Sequence, residues 1–295
     1  MDITLALGGG GSRGYSHIGV LRRLEREGYR VRAVAGTSAG GIIGAVYAAG
    51  YSPDKMEAFF TKIDQSKLFG RSAKEGPGLL GLSGAVKVLE DLLGDRTFDD
   101  LRIPCALTAV DIKSASEVIL REGRVVDAIL ATIALPGIFP PKEFKEYQLV
   151  DGAVLDPVPV SVARSMAPSL PVAAVILSSL NEVGGGFTQI QLPIPVPAPI
   201  VGRLVHTRVA QAFTIFLHSV DIGSRKLAEL RLREDNPEVL IRPDVDGIGL
   251  LDTVDLQKVI RSGEDAVAAV LIDLKRATAW PHRMRLMYFR PQQKK

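Results

Sequence analysis

The chain opens with short apolar runs that end in glycine. Residues 3–7 lead into Gly8-Gly9-Gly10-Gly11, and residues 31–35 lead into Gly36. A run of this length closed by glycine reads as a buried strand. Between the two runs, Ile18, Leu21 and Leu24 recur at helical spacing, with Arg22, Arg23, Arg26 and Glu27 turned outward and Gly28 as a stop. Residues 39–49 are small and apolar, as in a helix packed on a sheet, and Gly50 closes them. Strand, helix, strand, helix in this order predicts a βαβ unit with parallel strands and a right-handed connection. The fold class is α/β.

Further along, Ser52-Pro53 starts a helix, with serine as cap and proline in the first position. Residues 64–84, rich in Gly, Ser and Lys, read as a loop. The pattern predicts helices over 86–93, 125–133, 157–166, 201–233 and 256–276. It predicts strands over 103–110, 147–150, 172–177 and 239–242, with 117–120 as a hairpin partner of the first. Residues 138–141 form a rigid turn after the helix stop Leu135-Pro136-Gly137. Residues 184–202 alternate proline with apolar side chains, which forbids a helix or a central strand. This segment either wraps the surface or forms a flap that meets an acyl chain or a membrane. One domain over 1–280 is expected, with this segment inserted. The tail, 281–295, mixes basic and apolar side chains, as a packed tail or an interfacial segment would.

Composition narrows the class. The 295 residues are 46% hydrophobic and 23% charged, which excludes a disordered chain. A net charge of +3, with no Lys/Arg block interleaved with aromatics, argues against nucleic acid. No uninterrupted apolar run reaches the roughly 18 residues of a spanning helix. The N-terminal residues carry no basic region ahead of the first strand, so no signal peptide is expected. The single cysteine, Cys105, lies in an apolar stretch and reads as a buried free thiol. The expected location is cytoplasmic, with reach to a membrane surface.

Two glycine turns carry the chemistry. Gly36-Thr37-Ser38-Ala39-Gly40, between a strand and a helix, matches the G-x-S-x-G turn that displays a nucleophilic serine. Gly36 and Gly40 remove side chains that would clash there. Gly9-x-Gly11-x-x-Gly14 fits the dinucleotide fingerprint, but that reading needs an acidic residue at the end of the second strand. The serine turn occupies that place instead. The remaining reading is an oxyanion hole, in which the N–H groups of Gly9, Gly10 and Gly11 face a tetrahedral intermediate. None of the four histidines, His17, His206, His218 and His282, sits in a turn typical of a catalytic loop. Asp151, at the end of a strand and followed by Gly152, is the best candidate base.

The three motifs together, Gly8 to Gly14, Gly36 to Gly40 and Asp151-Gly152-Ala153, resemble the patatin-like phospholipases, including the patatin domain of neuropathy target esterase and its bacterial relatives. The likeness runs over about residues 2–280 and includes 241–249. It implies a three-layer α/β/α fold with a mostly parallel sheet. It also implies a Ser38–Asp151 dyad without histidine, and places Arg13 at the family's basic position, where it stabilises the loop or meets phosphate. Ala153 stands where the family more often has glycine. The implied activity is that of a serine lipid acyl hydrolase on phospholipid, lysophospholipid or another fatty-acyl ester. No metal or cofactor is required. Peripheral membrane contact and homo-oligomer formation are compatible with it. The competing readings are a nucleotide-binding regulatory module and an inactive acyl-binding scaffold.

Overall fold

The computed structural model describes residues 1–70, 76, 78–177 and 208–280. The proline-rich segment 184–202 and the tail 281–295, with their candidate roles, lie outside the described residues, as does part of 64–84. Among the described residues eight strands form one sheet: β1 (Asp2–Leu7), β2 (Arg30–Thr37), β3 (Cys105–Asp111), β4 (Ser116–Leu120), β5 (Lys142–Phe144), β6 (Tyr147–Asp151), β7 (Val172–Val175) and β8 (Val239–Ile241). Nine helices accompany it among the described residues: α1 (Ser16–Arg26), α2 (Ala39–Ala48), α3 (Pro53–Phe60), α4 (Ser83–Leu93), α5 (Val125–Thr132), α6 (Val160–Met166), α7 (Arg208–Asp235), α8 (Leu256–Ala269) and α9 (Leu271–Thr278).

Strands β3, β2, β1, β7 and β8 lie side by side and run parallel. The other three are antiparallel additions at the β3 side. Alternation along each strand sorts side chains between two cores. Leu5, Leu7, Val34, Leu107 and Val175 face the larger one, with α1, α2, α4, α5 and α8. Ala6, Ala35, Ala106 and Ala174 face the smaller one, where their short side chains let α6 and α7 pack closely. Helices on both faces of an open sheet make three layers. Cys105 is buried and free.

One strand edge decides where the functional residues meet. β4 covers one edge of β3 along Leu107–Asp111. The opposite edge is shared. β2 pairs with Cys105 through Thr108, and β6 pairs with Ala109 through Asp111. The parallel β2 and the antiparallel β6 therefore meet end to end, with Thr37 opposite Thr108 and Asp151 opposite Ala109.

Several local expectations change. β5 was not anticipated; it completes a hairpin with β6 after the rigid turn. The helix expected over 256–276 is two helices, broken at Val270 (φ −111°, ψ 15°). The break re-aims the second helix so that Leu274 and Ala277 are buried, and no glycine or proline announces it. α6 starts at Val160 rather than 157, because the chain bends at residues 157–158 and Pro159 (φ −79°, ψ 64°) sits in a tight turn in which the Val160 N–H donates to the Val158 carbonyl at 2.8 Å. Arg22, expected outward, is only 11% exposed: it reaches Asp54 and Glu57 from α3 and Glu264 from α8.

A buried ion pair ties α6 to the far edge of the sheet. Arg164 donates to both carboxylate oxygens of Glu238, at 2.9 and 3.2 Å, and to the carbonyls of Asp235 and Asn236. Glu238 in turn accepts the Val172 N–H at 2.8 Å. The two side chains are 10% and 8% exposed. Glu238→Ala leaves the guanidinium buried without its carboxylate and should cost about 3–5 kcal/mol. Urea unfolding measures it; a loss below about 1 kcal/mol is the result for a surface pair and would refute this burial.

Candidate active site

Ser38 stands between β2 and α2, with φ 53° and ψ −123°. A non-glycine residue at positive φ costs roughly 1–3 kcal/mol and must be held by its surroundings. Its N–H donates to Thr132 Oγ1 at 2.9 Å, and Thr132 Oγ1 donates to the Thr108 carbonyl at 2.6 Å. Thr37 Oγ1 donates to the Asp156 carbonyl at 2.9 Å and lies 2.7 Å from Thr108 Oγ1. All three threonines are fully buried. The backbone closes in equally tightly. A Cβ on Gly40 would stand 2.1 Å from the Leu7 carbonyl oxygen, and one on Gly36 would stand 2.5 Å from the Gly40 carbonyl oxygen.

Asp151 ends β6 and is 2% exposed. Ser38 Oγ donates to Asp151 Oδ2 at 2.6 Å, and the Ala153 N–H donates to Oδ1 at 2.8 Å. Burial pushes the carboxyl up to about 6, against the two hydrogen bonds, which favour the charged form. Among the described residues no histidine hydrogen-bonds either side chain. His17 is buried under the cradle, His218 lies on α7, and His206 and His282 are outside the described residues.

The glycine cradle follows β1 and enters a 3-10 turn, Gly11–Tyr15. The Gly8 N–H donates to the Val175 carbonyl at 2.9 Å and the Gly9 N–H to the Pro157 carbonyl at 3.0 Å. The Ser12 and Arg13 N–H groups are bonded to the carbonyls of Leu250 and Gly10. Only the N–H groups of Gly10 and Gly11 are left in this stretch without a partner among the described residues. Of the three N–H groups expected to face an oxyanion, that of Gly9 is thus bonded within the fold and those of Gly10 and Gly11 are not. Gly9 lies against Ser38, but its N–H is taken by the Asp151 side of the site. Gly14 packs against Ala39.

Arg13 is tied to residues far along the chain. Its Nε donates to the Ile248 carbonyl at 2.6 Å and Nη1 lies 3.4 Å from Asp221, which also pairs with Arg225. Ser12 Oγ donates to the Asp252 carbonyl at 2.7 Å. The loop at 245–253 thus braces the cradle. Asp255 caps α8 as an ordinary helix cap, and Asp100 closes a capping box with Thr97 in the turn at Phe98–Asp100, accepting the Thr97 N–H at 2.8 Å.

A cavity of about 650 Å³ opens over Ser38, Asp151, Gly10 and Gly11. Its walls include Phe60, Ile63, Leu89 and the stacked rings of Phe69 and Phe139, 5.3 Å apart. Such a space accepts an apolar chain next to the serine hydroxyl. Among the described residues there is no cluster of side chains able to hold a metal ion.

The three threonines were missed in the sequence. A polar residue inside an apolar strand, as Thr108 is in Cys105–Asp111, is the signal that marks such a partner. Thr132→Val removes the acceptor of the Ser38 N–H and leaves two buried backbone groups unpaired. It should cost about 1–3 kcal/mol in urea unfolding, and slow the labelling of Ser38 by a fluorophosphonate. Unchanged stability and labelling would show that this network does not hold the turn.

Known proteins resemble this chain in sequence and in fold. The sequence profile of the patatin-like phospholipases matches residues 5–164, the segment that carries the cradle, Ser38 and Asp151. An uncharacterized NTE family protein of Mycobacterium tuberculosis is 33% identical over 211 residues, covering 70% of this chain and 57% of that protein. Patatin-like phospholipase domain-containing protein 6 of Mus musculus is 32% identical over 187 residues, 61% of this chain and 14% of its own length. The chain thus spans little more than half the length of the first relative and a small part of the second. Among solved structures, VipD from Legionella pneumophila superposes with a TM-score of 0.57 over 92% of this chain and 66% of its own, at 11% identity, a likeness of fold. With more than half of its residues inside the matched profile, the chain belongs to the patatin-like phospholipase family.

Proposed function

We propose that the protein is a lipid hydrolase, and specifically a serine acyl hydrolase that cleaves a fatty-acyl ester of a phospholipid or lysophospholipid. Family membership supports the general class. The observation that carries the specific reading is the 2.6 Å hydrogen bond from Ser38 Oγ to a fully buried Asp151 at the floor of an apolar cavity.

In this reading Asp151 takes the Ser38 proton as Oγ attacks the ester carbonyl. The oxyanion meets the N–H groups of Gly10 and Gly11, with the N-terminus of α2 behind Ser38. The proton on Asp151 passes to the leaving alcohol. Water then attacks the acyl-enzyme and gives a proton to Asp151; as the acyl–Oγ bond breaks and the fatty acid leaves, Asp151 returns that proton to Ser38 Oγ. An exposed aspartate is a weak base at neutral pH; burial strengthens this one. Two unbonded N–H groups facing an apolar space suit a single oxygen better than a pyrophosphate, which argues against the nucleotide reading. No described helix is long and apolar enough to cross a membrane.

Ser38→Ala and Asp151→Asn should each lower kcat/KM on p-nitrophenyl acyl esters by about 10³-fold or more. A Ser38→Ala variant at the wild-type rate would sink the proposal.

Asp151 must be ionised to act, so activity should rise as pH passes about 6 and then level off. Its stability effect has the opposite sign. The carboxyl holds its proton more tightly in the folded state than at its ordinary value of 3.8, so its contribution to stability falls as pH rises through this interval. Asp151→Asn should therefore unfold at a higher temperature than wild type at pH 7, by roughly 2–4 °C per kcal/mol regained. A lower unfolding temperature at pH 7 would contradict the burial argument.

A further inference from the structure

We propose that His17 is a positioning residue for the glycine cradle. Its Nε2–H holds the peptide plane between Gly8 and Gly9, and that plane aims the unbonded N–H groups of Gly10 and Gly11. This inference rests on the hydrolase reading above.

His17 lies in the first turn of α1 and is fully buried. Its Nε2 is 2.8 Å from the Gly8 carbonyl oxygen. A carbonyl only accepts, so Nε2 carries the hydrogen, and complete burial, which leaves a second N–H no partner, keeps the ring neutral. Nδ1 is then unprotonated, and it is buried with no hydrogen-bond partner. Burial also presses the ring's pKa down to about 4, so it stays neutral wherever Asp151 is ionised. An apolar side chain would avoid the cost of a buried unpaired nitrogen. What the imidazole adds is the Gly8 contact.

The same peptide plane is gripped at its other end. The Gly9 N–H donates to the Pro157 carbonyl, just beyond the turn that carries Asp151. One plane is thus held from α1 on one side and from the Asp151 segment on the other. The next two N–H groups along the chain are the unbonded pair. Four consecutive glycines have the widest conformational freedom a chain can have and no side chains of their own to restrict it. His17, nine residues beyond Gly8, closes this stretch into a braced loop. It hydrogen-bonds neither Ser38 nor Asp151, so its effect is exerted through Gly8.

The full chain carrying His17→Leu, His17→Gln or Ser38→Ala, assayed with p-nitrophenyl butyrate, tests the proposal. His17→Leu should lower kcat about 10- to 100-fold, since small misplacements of a catalytic group cost this much, with KM within about three-fold of wild type. His17→Gln returns an N–H to the same place and should recover most of the loss. An unchanged kcat in His17→Leu, or equal losses in both variants at equal thermal stability, would overturn the assignment. An active Ser38→Ala would instead overturn the hydrolase reading, and the role of His17 with it. Should His17→Leu fail to fold, nitrogen NMR of the wild-type ring decides. The Nε2–H tautomer with no titration down to about pH 5 is expected; an Nδ1–H tautomer, or titration at the ordinary value of 6.5, refutes the contact.

Discussion

Ser38 and Asp151 are separated by 113 residues and joined by a 2.6 Å hydrogen bond because β2 and β6 share one edge of β3. The rest of the site depends on this arrangement. A strand edge offers its hydrogen-bonding groups in fixed register, so two strands that meet end to end along it bring their last residues together within the tolerance of the ladder. β4 occupies the other edge of β3 and leaves β6 no alternative place. The hairpin of β5 and β6, a minor feature of the sheet, is thereby what delivers the carboxylate.

The same arrangement concentrates unfavourable local states in one small volume. Ser38 takes a backbone conformation costly for a side chain, Asp151 keeps a carboxyl away from water, and His17 keeps a ring nitrogen unpaired. Each is held by neighbours that belong to regular structure. Thr37 and Thr108 are in strands, Thr132 ends a helix, and the peptide of Gly8 and Gly9 is held from two directions. Strain of this kind persists only where the surroundings over-determine it. In the hydrolase reading proposed above, the same burial suits Asp151 to act as a base, since a carboxylate shifted toward neutral pH is a better base than one in water.

The cavity above the dyad and the loop at 245–253 divide the remaining work. Aromatic and aliphatic side chains from α3, α4 and the Phe139 turn make the apolar wall. The loop holds Ser12 and Arg13 through backbone carbonyls and itself contributes residues 250–253 to the cavity lining. Arg13 is consequently a brace, tied to Ile248 and Asp221.

Much of this could be read directly from residue order. Apolar runs ending in glycine announced β1 and β2, the spacing of Ile18, Leu21 and Leu24 announced α1, and the turns around Ser38 and Asp151 stood out because glycine is needed where backbones touch. Other features were invisible for definable reasons. The break at Val270 has no glycine or proline and follows only from the burial of Leu274 and Ala277. Arg22 looks like a surface residue until α3 and α8 bring three carboxylates to it. Gly9 looks like its neighbours, and only the approach of Pro157 takes its N–H away. Local sequence by itself determined which elements form and which residue types stand at their ends, because periodicity and turn chemistry act over a few positions. Tertiary structure alone decided which donors stay free and that Asp151 reaches Ser38, because both depend on segments far apart in the chain competing for the same hydrogen-bonding groups.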